Sequence, residues 1–187
     1  MVVIDGPLRT DRLIIRPYRA GDFADLHAIQ SDPGLTRYLP FGPRDEGEVR
    51  AQLARKIAEG GRFAGEGDAL ELAVTLPDGT YLGEVLLFYR SAAHRGGELG
   101  YVFRREAGGR GYATEAAQAL LAVGFDRAGL HRVVARLDAR NTPSARVLER
   151  LGMRREAHFV ANEYVKGEWS DEVVYAILAR EWAGRAS

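Results

Sequence analysis

Cysteine is absent from the chain. That excludes disulfides, thiolate metal sites and any route through a cysteine acyl-enzyme. Long apolar runs are absent too. The opening MVVIDGPLRTDRL has no extended apolar core, and no later run approaches the about 18 residues a membrane helix needs. Neither sign of charge is in excess, since Lys plus Arg and Asp plus Glu both number 26. Bulk attraction to nucleic acid or to a membrane is therefore not expected, and arginine, though far commoner than lysine, is spread rather than blocked. The four histidines, His27, His94, His131 and His158, are scattered without ligand spacing, so each reads as a surface or strand residue and no metal site is read. There is no internal repeat, linker or low-complexity tail. What remains is 187 residues, 46% of them hydrophobic, enough for one domain over 1–187 with a substantial core. A cytoplasmic location is expected.

The chain is organised around Gly97 to Arg127. Glu98 to Phe103 supplies branched and aromatic residues for a strand, and Gly108, Gly109 and Gly111 follow around Arg110. Ala113, Ala116, Ala117, Leu120, Leu121 and Phe125 then recur at helical spacing, with Gly129 as a stop. Such a turn lets backbone amides approach a ligand, and the helix behind it adds unpaired N–H groups and a positive dipole end. It is either an anion cradle or a tight connection rich in glycine for steric reasons. A Walker A loop would need Gly-Lys before Ser or Thr. A dinucleotide fingerprint would need glycine at Thr114. Both nucleotide readings are weak.

The remaining elements follow from pattern. A strand covers Leu13 to Tyr18. A helix runs from Gly21-Asp22 to Gln30, and a second from Arg44 to Ala58 with Val49, Leu53 and Ile57 on one stripe. Between them, Thr36 to Pro43 is aromatic and proline-broken. Its Tyr38 and Phe41 form either a self-packed loop or the wall of a substrate pocket. Strands Leu70–Val74 and Tyr81–Tyr89 flank the Pro77-Asp78-Gly79 turn, and Ser91 to Gly97 is a loop. His131–Leu137 is a strand. A helix follows from Pro143 to Leu151, with Thr142 as its N-cap, and a hairpin pairs Arg154–Val165 with Trp169–Leu178. The order βααβββαβαββ is that of an α+β chain, a mixed sheet carrying helices.

Gly109-Arg110-Gly111-Tyr112-Ala113-Thr114-Glu115-Ala116, with Asn141-Thr142-Pro143-Ser144 and Leu148-Glu149-Arg150-Leu151-Gly152-Met153, resembles the GNAT acetyltransferase superfamily. Asp171 to Ala176 ahead of Glu181-Trp182 is similar to its RimJ/RimL branch, which acetylates ribosomal-protein N-termini. The likeness runs from Leu8-Arg9-Thr10-Asp11-Arg12-Leu13 to Trp182. One departure is Glu106, where the superfamily often has Gln or Arg; the carboxylate is expected to point away from the phosphates.

The resemblance implies a twisted, mostly antiparallel mixed sheet, splayed in the middle and flanked by helices, with acetyl-CoA as donor. Its pyrophosphate would lie on the turn from Gly108 and Gly109 through Arg110, Gly111, Tyr112 and Ala113 to Thr114. Its pantetheine would lie beside Tyr101, Val102 and Phe103. Arg104, Arg105 and Arg110 are candidates to add charge. An amide of Val102 or Phe103 is the candidate oxyanion donor. Asn141 reads as a turn residue or a ligand of the cofactor arm, and Ser144 as a first-turn residue or the partner of the leaving sulfur. The base is sought in the order Glu163, Glu98, Glu84. Glu163 leads because it follows Ser144 by nineteen residues in the branch pattern, ahead of Tyr164 and the Gly167 turn.

Direct attack by a primary amine then suits a chain without cysteine. An α-amine, with a pKa near 8 against about 10.4 for lysine, loses its proton more easily by roughly 3 kcal/mol. A protein N-terminus, ribosomal or other, is thus the expected acceptor. A small metabolite or antibiotic amine, or a non-catalytic CoA-binding module, stays open. The sequence also leaves a homodimer open.

Overall fold

The computed structural model describes residues 1–184; positions 185–187, at the end of the expected domain, lie outside the described residues. In chain order its elements are β1 (Val2–Val3), β2 (Leu8–Arg9), β3 (Ile14–Arg16), α1 (Phe23–Gln30), α2 (Glu46–Glu59) and β4 (Arg62–Phe63). Then come β5 (Ala69–Thr75), β6 (Tyr81–Ser91), β7 (Gly96–Phe103), α3 (Tyr112–Ala122) and β8 (Arg132–Asp138). The chain continues through α4 (Thr142–Arg150), β9 (Arg154–Val165), β10 (Glu168–Leu178) and α5 (Ala179–Ala183).

One eight-stranded sheet has the order β2-β3-β5-β6-β7-β8-β10-β9, and β1 pairs with β4 apart from it. Every neighbour is antiparallel except β7 and β8. Period-two alternation along β5 sorts its side chains to two covered faces. Leu70, Leu72 and Val74 join Ala116, Ala117, Leu120 and Leu121 of α3. Ala73 joins Leu26 and Ile29 of α1 and Val49 and Leu53 of α2.

The parallel pair breaks early. Its register covers Gly96, Gly97 and Glu98 against Arg132, Val133 and Val134, and then stops. Beyond that point β7 stays with β6 as far as Phe103, and β8 stays with β10 as far as Asp138. Each strand is held by its outer neighbour, so the sheet's twist opens a gap between them. The expected splay is therefore present.

Three expectations need correction. Helix α2 begins after Arg44, because Asp45 and Glu48 form a reciprocal capping box that fixes its first turn. Its buried stripe is Val49, Leu53 and Lys56, while Ile57 is 40% exposed. Lys56 is drawn inward by buried Glu71 and Glu84, an attraction that hydrophobic periodicity cannot register. The connection between β6 and β7 is shorter than the expected Ser91–Gly97 loop, since β6 reaches Ser91 and β7 starts at Gly96.

Candidate active site

The glycine turn sits at the head of the gap. Gly109 and Gly111 have φ of 74° and 80°, the left-handed region that glycine occupies without strain. Gly111 is the N-cap of α3, and no side chain caps that end. The first intrahelical bond is from Glu115 N to Gly111 O, so the amides ahead of it lack intrahelical partners. Thr114 Oγ1, buried in the same wall, has no hydrogen-bond partner among the described residues. Unpaired amides, a free buried hydroxyl and a helix dipole together suit the pyrophosphate of CoA.

A cavity of about 630 Å³ runs from this turn into the gap. Tyr101, Val102, Phe103, Gly108, Gly109, Gly111, Tyr112, Ala113, Thr114, Asn141 and Ser144 all line it. Arg110 does not. Its side chain is exposed, and its carbonyl is taken by Arg12. Glu106 is exposed and outside the lining, as expected of a carboxylate near phosphate. The cations that reach the cavity are Arg104, paired with Asp25, Arg105, near Asp32, and Arg146 and Arg150 of α4. Sequence motifs do not single out the last two, although spacings of three and seven from Pro143 place them with Val147 on one helical face.

Backbone direction in the gap follows from the ladder. Arg104 N donates to Leu82 O on the β6 side. Alternation then turns the amide of Val102 to β6 as well, and those of Tyr101 and Phe103 toward the gap. Of the two candidate oxyanion donors, Phe103 is the one so directed.

The far wall of the gap is α4. Asn141, not Thr142, is its N-cap: Asn141 Oδ1 accepts from Ser144 N at 3.3 Å. Asn141 stands three residues before Ser144, the spacing from N-cap to N3, while Thr142 has already entered the helix, and among the described residues the Asn141 NH₂ has no hydrogen-bond partner. Tyr101 spans the gap, its hydroxyl donating to Ser144 O at 2.9 Å. Burial pushes the Tyr101 phenol well up from its usual value, so it stays protonated and braces the two walls. The Ser144 hydroxyl has no hydrogen bond among the described residues.

A second cleft, about 1020 Å³, lies on the α1–α2 face. It shares Tyr38, Leu39, Tyr101, Val102, Asn141 and Ser144 with the first, so the two open into each other at the split in the sheet. Phe41 lines this cleft alone of the two, and Tyr38 lines both, which favours the pocket-wall reading of their loop. Lys166, at the tip of the β9–β10 hairpin, donates to the carbonyls of Thr36 and Arg37 and ties the hairpin to that loop.

The three candidate bases lie in different settings. Glu98 lines the second cleft, with Oε2 2.9 Å from Arg90 Nε and its side chain 21% exposed. Glu163 is exposed on β9 and lines a smaller cavity of about 200 Å³, which Glu98 also borders. Glu84 is buried and already accepts from Tyr18 Oη at 2.8 Å and Lys56 Nζ at 2.7 Å.

The acetyltransferase (GNAT) domain family matches residues 12–154. An uncharacterized N-acetyltransferase of Bacillus subtilis (strain 168), YnaD, is 35% identical over 175 residues, 94% of this chain and 98% of its own. YdaF of the same organism, a putative ribosomal N-acetyltransferase, is 34% identical over 173 residues, 91% of this chain and 92% of its own. Among solved structures, a GNAT-family acetyltransferase from Bacillus anthracis superposes with a TM-score of 0.83 at 34% identity, covering 94% of this chain and 99% of that one. A spermidine N-acetyltransferase from Vibrio cholerae, in complex with CoA and spermine, shares the fold at 19% identity and a TM-score of 0.80, over 93% and 99% of the chains.

Proposed function

The chain belongs to the acetyltransferase (GNAT) family and is an acetyl-CoA-dependent N-acetyltransferase, and from that premise we propose that it acetylates the α-amine of a protein N-terminus by direct transfer. The observation that carries this reading is the junction of the two clefts at Tyr38, Leu39, Tyr101, Val102, Asn141 and Ser144, which lets donor and acceptor be bound together.

Acetyl-CoA supplies the acetyl group as a thioester. The turn from Gly108 to Thr114 holds its phosphates on amides and on the Thr114 hydroxyl, with Arg146 and Arg150 adding charge at the edge. The outward amides of Tyr101 and Phe103 would take the pantetheine arm as a neighbouring strand would, and whichever of them stands beside the thioester would donate to its oxygen as charge develops. The free Asn141 amide donates to the same arm. The Ser144 hydroxyl meets the departing sulfur.

We assign the base to Glu98, acting directly or through a water, because, of the two glutamates of this set that border the acceptor cleft, it is the more exposed, 21% at the side chain, and it is paired only with the surface Arg90. Glu163 reaches only the adjoining cavity and stands second, and Glu84 is committed to Lys56 and Tyr18. A carboxylate is better matched to an α-amine than to a lysine, by the roughly 3 kcal/mol between their deprotonation costs. The likeness to YdaF supports a ribosomal-protein N-terminus as acceptor. A small polyamine is the rival, on the strength of the shared fold with the spermidine enzyme. The test is acetylation of a peptide carrying both a free N-terminus and a lysine, with the modified nitrogen mapped by mass spectrometry and spermidine run in parallel. Acetyl on the α-amine is expected. Modification of spermidine alone would replace this reading with the rival.

A further inference from the structure

The acceptor cleft contains six cationic side chains, and their pairing leaves a specific charge unused. Arg55 is bound by Glu59 and Glu71, and Lys56 by Glu71 and Glu84. Arg90 holds Glu98, and Arg136 holds Glu172. The same pairs occupy Glu59, Glu71 and Glu84, and Asp68 accepts the amides of Ala64 and Gly65, so Glu98, the proposed base, is the acid left to the reacting amine. Arg62 is exposed at the outer rim. Arg44 is different: it is half-buried, and among the described residues no carboxylate pairs with it.

The Arg44 guanidinium is nevertheless held in place. Nη1 donates to Oε1 of buried Gln30 at 3.0 Å, and the Arg44 backbone amide donates to the Gln30 carbonyl at 2.9 Å. The guanidinium lies 3.7 Å from the centroid of the Phe41 ring. One edge is thus fixed by an amide and one face by an aromatic ring, leaving N–H groups for something in the cleft. Desolvation outweighs the attraction of Glu48, Glu84 and Glu71, none of which forms an ion pair with the group, and pulls it below the usual arginine range, so an incoming anion would restore lost stabilisation.

We propose that Arg44 is a carboxylate-binding subsite of the acceptor cleft, so that the preferred acceptor is an amine that also carries an acidic group. In peptide form this rests on the N-terminal reading and specifies it: the favoured N-termini have Asp or Glu within a few residues of the reacting amine. The wall from Leu39, at the junction, through Phe41 to Arg44 leads from the reacting centre to the subsite. A polycation finds no acid here beyond Glu98, which serves the reacting amine, because Glu59, Asp68, Glu71 and Glu84 are already paired or hydrogen-bonded.

Peptides sharing a free N-terminal serine and differing by Asp, Ala or Lys at the second, third or fourth position separate the cases. For at least one position the Asp peptide should exceed the Ala peptide in kcat/KM by about 10- to 100-fold, the range for a charge-assisted hydrogen-bonded pair, with Lys poorest. Arg44→Gln should reduce that ratio to less than about threefold. Equal use of the three peptides, preference for Lys, or a ratio unchanged in Arg44→Gln overturns the subsite. Should Arg44→Gln fail to fold, Arg44→Lys, which keeps the charge and loses the planar fork, should lower the ratio, and no loss in it overturns the subsite equally. Glutamate against spermidine is the second arm. If no peptide is acetylated but glutamate outruns spermidine, and Arg44→Gln removes the difference, the N-terminal reading falls and the subsite stands. If spermidine wins, the subsite falls. Calorimetric titration of the same peptides into CoA-loaded protein makes the comparison without turnover, and binding that ignores the Asp overturns the subsite.

Discussion

Arg12 Nη1 donates to the carbonyl of Arg110 at 2.9 Å, joining the N-terminal segment to the glycine turn across 98 positions of chain. The peptide bond is trans, so a carbonyl held toward Arg12 turns the amide of Gly111 the opposite way, to the cavity side. Arg12 is in turn fixed by Glu115, whose Oε2 accepts from Nε at 2.7 Å and whose Oε1 accepts the Arg12 amide at 3.0 Å. Arg12 thereby positions the amides proposed to bind phosphate, without itself lining the cavity. Arg12→Gln should raise the KM for acetyl-CoA about tenfold, the effect of losing one or two hydrogen bonds to a charged group. S-acetyl-pantetheine, which has no pyrophosphate, should lose far less. Equal losses with both donors would make Arg12 a general fold contact.

At Gly109 the constraint is backbone conformation, not room. An added Cβ would meet nothing within 4 Å, yet φ is 74°. Gly109→Val should cost about 1–2 kcal/mol of stability as a side chain is forced into the left-handed region. It should also abolish the rise in melting temperature that acetyl-CoA gives the parent, because the strained turn relaxes away from its amide geometry. NAD and ATP should not raise the melting temperature of the parent. A folded Gly109→Val protein that acetyl-CoA still stabilises fully would show the turn to be a connection only.

Glu98→Gln and Ser144→Ala should differ in character. Loss of a general base or acid costs about 10²- to 10⁴-fold in rate. Glu98→Gln should also lose the acidic limb of the pH–rate profile and recover as the pH rises, since free amine then forms unaided. Ser144→Ala should show no recovery, its defect being at the leaving sulfur. If Glu163→Gln, and not Glu98→Gln, removes the acidic limb, the base is on the hairpin.

The ease with which these residues were found in the sequence varied with the range of the interaction that places them. The turn from Gly108 to Thr114 and the helix after it are local, so glycine spacing and helical periodicity located both. Ser144 and Asn141 were locatable as a loop-to-helix junction, although the capping role fell to Asn141 instead of Thr142. Lys56 was missed because its burial is enforced by Glu71 and Glu84 on two other elements. Arg12 was invisible for the same reason, its partners lying about a hundred positions away. The ranking of Glu163 over Glu98 followed motif spacing, which knows nothing of cavity shape. The folded sheet adds only that Glu98 lines the second cleft and the smaller cavity, and Glu163 the smaller cavity.

Acid stability should depend on Asp22, which is 4% exposed and takes both terminal nitrogens of Arg16, at 2.7 and 2.8 Å. Burial alone would raise its pKa, but the Arg16 pair and the Arg19 amide outweigh that and hold it below the usual carboxylate value. A depressed folded-state pKa means a contribution fully present above the unfolded value, near 4, and lost as pH falls through the folded one. Asp22→Asn should therefore destabilise the protein at pH 7 by about 1.5–3 kcal/mol, and the gap between the two proteins should narrow below about pH 4. Melting temperatures measured from pH 7 down to pH 3 check this, and a gap that stays constant would mean that Asp22 acts without its charge.

Direct transfer at the junction of the two clefts is tested most directly by initial rates of CoA release, with acetyl-CoA and a peptide bearing a free N-terminus varied together. Both substrates must occupy the protein at once if Tyr101, Asn141 and Ser144 serve both clefts, so the double-reciprocal lines should intersect. Blocking the α-amine of the peptide should stop release. Parallel lines, the pattern of an acetylated enzyme formed before the acceptor binds, would contradict the account, as would release that persists at the same rate with the α-amine blocked.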